Sequence, residues 1–169
     1  MMSRNYHAGV NLVLTSWYQR GIIVVLHERV CYKMKTLQVY KKIEDENIPI
    51  FNCDVNGVRG MIISSGDKHG VFINRKEIED SDEEFMVLAH EWGHYSSGML
   101  HSLGDNKTYI GKCEYRADRN AVLEFLPFER IQEAIKDGCQ MPYEFADFLD
   151  MPEKFVIIAF KHYRDMGLI

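Results

Sequence analysis

From Met34 to the C-terminus the apolar positions keep changing period, and each change marks an element. Leu37, Tyr40 and Ile43 recur every third residue over 35–46, which predicts an amphipathic helix closed by Asn47 and Pro49. Three short runs follow, 48–53, 59–64 and 70–73, separated by the turn formers Asn56-Gly57 and Ser65-Gly66-Asp67. They read as strands of a small antiparallel sheet, with an open edge around 71–74. Phe85, Leu88, Ala89 and Trp92 return to helical spacing behind the acidic stretch 79–84, where Ser81 and Glu84 form a capping-box pattern. Residues 96–111 are polar and glycine-containing and read as a loop. Ala117, Ala121, Val122 and Phe125 mark a second helix beginning near Lys112. Helices are also expected over 128–136, stopped by Gly138, and over 142–149 and 152–164. The fold class is therefore α+β.

The first 33 residues follow no such order. Leu12-Val13-Leu14 and Ile22-Ile23-Val24-Val25-Leu26 are apolar, but Asn11, Gln19 and Arg20 interrupt the ~20-residue run that a membrane-spanning helix requires. The second run leads into His27-Glu28-Arg29 rather than a small-residue cleavage site, so a signal peptide is not expected. Two β-prone segments, paired as a hairpin, are the reading here. The chain thus divides into an N-terminal extension, 1–33, to which the pattern assigns no role, and a single domain, 34–169, with Met34 as an alternative start.

Composition narrows the class. With 46% hydrophobic and 27% charged residues, the 169-residue chain can bury an ordinary globular core. A formal charge of −5 argues against nucleic acid as a direct partner, since phosphate binding needs a concentrated basic surface. The last two helices are spaced somewhat like a helix-turn-helix, but with so few basic residues there, packing or substrate docking is the favoured reading. Cys31, Cys53, Cys113 and Cys139 are scattered with no C-x-x-C spacing, which suits reduced thiols in a cytoplasmic protein with no membrane association.

The chemistry concentrates in His90-Glu91-Trp92-Gly93-His94. Residues four apart on a helix are ~40° apart around its axis, so His90 and His94 project from one face and can reach one metal ion. Glu91 lies close enough to serve as general base without being a ligand. Gly93 costs ~1 kcal/mol relative to alanine inside a helix, which points to close approach by another element. A catalytic zinc site needs a third protein ligand. Glu114, on the second helix, is the candidate, and Asp118 on the same face could hold the spare ring N–H of a ligating histidine. An acidic pair at this spacing also suits a solvated helix face, and that alternative stays open. His69, His101 and Tyr109 are candidates for a donor that stabilises a developing oxyanion.

Taken together, His90-Glu91-Trp92-Gly93-His94, Glu114-x-x-Ala117-Asp118-x-x-Ala121 and Leu126-Pro127 resemble the ImmA/IrrE family of zinc metallopeptidases. The similarity runs from about Met34 to the C-terminus, with Gly60, Ile73-Asn74 and Val87-Leu88-Ala89 also fitting. Trp92 stands where the family usually has leucine, and Arg116 where it often has glutamate; neither is a proposed ligand. The resemblance implies a compact zincin-like metallopeptidase domain with one Zn2+ per chain, held by His90, His94 and Glu114, with Glu91 catalytic. It further implies an intracellular protease of a prophage, mobile element or stress response, in a bacterial or phage-infected cell, that cleaves or inactivates a helix-turn-helix repressor. The alternative is a non-proteolytic zinc-containing regulator that binds a repressor or DNA.

Overall fold

The computed structural model describes residues 34–102 and 104–169, so the hairpin expected before Met34 and Cys31 lie outside the described residues. Along the chain run α1 (Met34–Asp45), β1 (Ile50–Asn52), β2 (Gly60–Ser65), β3 (Lys68–Ile73), a single 3-10 turn (Arg75–Glu77), α2 (Ser81–Ser97), α3 (Lys107–Phe125), α4 (Phe128–Asp137), α5 (Pro142–Leu149) and α6 (Glu153–Asp165). The described part is an α+β structure of six α-helices and one three-stranded sheet. None of these helices is long and apolar enough to cross a membrane.

The sheet departs from the antiparallel expectation. Its order is β1-β3-β2, with β2 and β3 antiparallel but β1 and β3 parallel. Gly66, at φ 61°, makes the tight turn that pairs β2 with β3. β1 then takes the far side of β3, where Phe51 stacks on Phe72 at 5.0 Å between ring centroids. The stretch expected at an edge, 71–74, therefore belongs to the central strand, and Val71 and Ile73 are fully buried. Alternation along one strand reports which face is covered but not which neighbour pairs with it.

Among the described residues β1 and β2 are the two edges of the sheet. In a two-residue hairpin the flanking pair, here Ser65 and Lys68, exchanges both backbone bonds, and bonded pairs then alternate. The bond from Asn74 N–H to the Arg59 carbonyl, at 2.8 Å, keeps this phase. Gly60, Ile62 and Ser64 consequently turn their backbone N–H and C=O groups outward.

α2 is the element against which α1, β2 and α3 pack. Phe85, Leu88 and Ala89 on its inner face are fully buried, and the Phe85 ring meets Phe125 of α3 and Phe155 of α6 edge-on at 5.9 and 5.0 Å. Burial of Phe85 and of Leu88 stabilises the fold by about 1.5–3 kcal/mol each. The helix start is one residue off the expected frame. Asp80, not Ser81, is the N-cap, its carboxylate accepting from the N–H groups of Asp82 and Glu83 at 2.9 and 2.8 Å. Glu84 is drawn inward instead, to accept from Tyr40 and Arg75.

The stripe of α1 is also rotated from the expected one. Val39 and Ile43 are buried with Thr36 and Lys35, whereas Leu37 and Tyr40 are half-buried. Polar docking turns the face: Thr36 donates to the Ser81 carbonyl at 3.0 Å, and Lys35 pairs with Asp82 at 3.0 Å. α3 begins earlier than expected, because Asn106 accepts from Tyr109 N–H at 2.8 Å and this cap starts the helix ahead of Gly111. The chain is closed by α6, whose Tyr163 donates to the Leu126 carbonyl at 2.6 Å; burial pushes its phenol pKa up to about 12. Cys53, Cys113 and Cys139 are free thiols.

Candidate metal centre

α2 and α3 approach so closely that Gly93 has no room for a side chain. A Cβ there would lie 2.0 Å from the carbonyl oxygen of Ala117. Glu114 is one turn ahead of Ala117, and the approach carries its carboxylate over His90 and His94. Glu114 Oε2 lies 3.1 Å from His90 Nε2, Glu114 Oε1 lies 3.4 Å from His94 Nε2, and the two Nε2 atoms are 3.1 Å apart.

The hydrogen bonds behind the rings decide what the two Nε2 atoms can be. His94 Nδ1 is 2.9 Å from the carbonyl of Met99, which can only accept, so Nδ1 carries the proton and Nε2 of the neutral ring is a lone pair. His90 Nδ1 is 2.9 Å from Asp118 Oδ1, with the same consequence. With both rings neutral, two lone pairs and a carboxylate converge with no donor among them, an arrangement that a cation satisfies. In a tetrahedral zinc site with bonds of 2.0–2.2 Å, ligand atoms are about 3.3–3.5 Å apart. The observed separations, 3.1–3.4 Å with one Glu114 oxygen facing each ring, are close to that spacing, and His90, His94 and Glu114 together could hold an ion.

The ionisation of these groups follows from the same packing. Burial acts to lower the His90 pKa, but the Asp118 hydrogen bond and the charges of Glu91, Asp118 and Glu114 outweigh it, and the net shift is upward. Burial lowers His94 against the opposing Met99 hydrogen bond, with His90 adding to the depression. Glu91, only 7% exposed, is pushed up by burial, while His90 and the backbone N–H of Ile62 hold it back. That last contact puts Glu91 against β2 on the side turned away from β3. Gly60 adds to it, since a Cβ there would lie 3.6 Å from Glu91 Cγ.

No protein-family model matches the chain, and no curated protein or solved structure is a match either.

The residues singled out by spacing are distributed unevenly. His90, His94 and Glu114 converge, Asp118 stands behind His90, and Glu91 is buried beside them on the same helix. Of the three candidate donors only His101 is at the site, its Nε2 2.8 Å from Glu114 Oε1. His69 is instead bonded to Ser64 and packed edge-on against Tyr95 at 5.1 Å, and Tyr109 donates to the Leu100 carbonyl at 3.2 Å. Two contributors are main-chain groups that leave no side-chain signal, the Met99 carbonyl and the Ile62 N–H. Gly98, in the left-handed region at φ 64°, is the one hint of the former, because it turns the chain back under His94 at the end of α2.

Proposed function

We propose that this chain is a zinc-dependent endopeptidase of the zincin type, similar to the ImmA/IrrE metallopeptidases, and that its substrate is a helix-turn-helix repressor. The observation that carries the catalytic part is the convergence of the His90 and His94 Nε2 atoms with the Glu114 carboxylate, with the buried carboxylate of Glu91 beside it. The repressor as substrate rests on the resemblance of motif and spacing alone.

A zinc ion bound there supplies Lewis acidity and lowers the pKa of water toward ~7. The chain's own part is orientation and proton movement. Asp118 and the Met99 carbonyl fix the tautomers of His90 and His94. Glu91 accepts the proton of the attacking water at its carboxylate and returns it to the amide nitrogen of the leaving peptide. Its upward-shifted pKa favours the holding half of that duty. The outward backbone groups of Gly60 and Ser64, with the Ile62 carbonyl, suit a peptide held in extended form by strand addition next to Glu91, with affinity from main-chain bonds rather than sequence.

The test compares wild type with Glu91→Gln, each incubated with the helix-turn-helix repressor encoded nearest this gene, zinc content being measured on the same samples. The expected result is cleavage by wild type alone at equal zinc content. His94→Ala should lose both zinc and cleavage. Cleavage by Glu91→Gln at the wild-type rate would overturn the assignment of the base. Tight complex formation without cleavage by either protein would replace the peptidase with a binding protein.

A further inference from the structure

Each of the three converging side chains has one partner behind it, and the partners have two sources. His90 is held by Asp118 from α3 itself. His94 and Glu114 are held by the segment that joins α2 to α3, through the Met99 carbonyl and the His101 ring. That segment is in turn fastened to α3. The Leu100 carbonyl, between those two residues, accepts from Tyr109 Oη at 3.2 Å and from the buried Cys113 thiol at 3.8 Å. Met99 N–H donates to Ser97 Oγ at 3.2 Å, and Ser102 N–H to Asp105 at 2.6 Å.

We infer that His101 is a positioning residue for the metal centre, donating its Nε2–H to Glu114 Oε1 and so holding the Glu114 carboxylate over the two histidines, with Oε2 toward His90 Nε2. The inference rests on reading His90, His94 and Glu114 as metal ligands. Glu114 needs such a partner more than the histidines do. Its side chain is 39% exposed, against 7% for His94, and three rotatable bonds separate its carboxylate from the helix. A freely rotating carboxylate spends much of its time away from the two histidines, and a hydrogen bond to one oxygen leaves the other free to ligate. His101 does not belong to the converging set itself, which comprises His90, His94 and Glu114. Its ring stands 5.8 Å from that of His94, centroid to centroid. It is placed to act through Glu114 rather than as a ligand of its own.

The test uses the full chain and metal alone. Zn2+ affinity, measured by competition with a chromophoric chelator, is compared for wild type, His101→Ala and His101→Gln, together with the visible absorption of the Co2+-loaded proteins. Losing the partner behind a ligand typically lowers metal affinity about 10–100-fold, and His101→Ala is expected in that range. Glutamine places an amide N–H where His101 Nε2–H stands, so His101→Gln should recover most of the loss and restore the wild-type Co2+ spectrum. Equal affinity in wild type and His101→Ala overturns the inference and leaves the metal centre intact. A loss in His101→Ala that glutamine fails to rescue overturns it in favour of direct ligation or a purely structural role. Absence of Zn2+ binding by wild type overturns both the inference and the reading beneath it.

Discussion

Replacing Gly93 by alanine probes the geometry on which the metal centre depends. The added Cβ would meet the Ala117 carbonyl oxygen at 2.0 Å and its carbon at 2.7 Å, where ordinary contact begins at 3.4 Å. The obstacle is helix backbone, so it cannot be relieved by a rotamer change; α3 must retreat by about 1.4 Å at that level or tilt. Overpacking of this kind costs about 1–3 kcal/mol, of which ~1 kcal/mol is returned by alanine's better helix propensity. The loss of fold stability is therefore modest, at most about 2 kcal/mol by that difference. The effect on metal binding is larger in proportion, because Glu114 rides on the same turn as Ala117 and ligand distances tolerate only about 0.2 Å. Urea denaturation of the metal-free protein, paired with chelator competition, should show a small stability loss and a fall in Zn2+ affinity of at least about tenfold, or ~1.4 kcal/mol. A Gly93→Ala protein with unchanged zinc affinity would refute the argument that the helix approach sets the ligand spacing.

Other predictions rest on single contacts. Asp118→Ala should reduce Zn2+ affinity about 10–100-fold by freeing the His90 tautomer, read by the same competition assay. Zinc affinity should depend on pH with a definite sign. The His90 pKa lies above its ordinary value, so below that raised pKa the ring keeps a proton that the metal must displace. Affinity is full above it and falls about tenfold per pH unit beneath it, and one proton is released on binding, which calorimetry in two buffers would count. Tyr163→Phe leaves the Leu126 carbonyl without its donor and should lower stability by about 1–3 kcal/mol in urea, with zinc affinity unchanged.

The elements that the sequence reveals best are those whose signal is local. Gly93 announced a close approach because glycine in mid-helix has no other use there, and Ala117 is what approaches it. His90 and His94 declare their shared face by spacing, and Glu114 and Asp118 do the same on α3. Strand pairing is different. Nothing along 50–52 says that β1 lies parallel to β3 on its far side, since the pairing is decided by which edge the β2–β3 hairpin leaves free. The rotated face of α1 escaped for a related reason: Lys35 and Thr36 look like solvent positions until Asp82 and the Ser81 carbonyl are brought to them. The Met99 carbonyl and Ile62 N–H belong to the backbone, which every residue possesses, so no residue type marks them.

The contact of Glu91 with β2 divides the labour of the molecule in an unequal way. Every group that would grip or orient the metal lies between His90 and Asp118, within one helical hairpin. The sheet reaches that hairpin's centre at Glu91, the proposed proton carrier, through Ile62 and Gly60. Distortion arising in the sheet is accordingly felt by turnover before it is felt by metal retention. Gly60→Ala, whose Cβ would press to 2.4 Å from Val87 Cγ1, is the variant that separates the two. It should keep its zinc while cleaving more slowly, the mirror image of a defect introduced at Gly93.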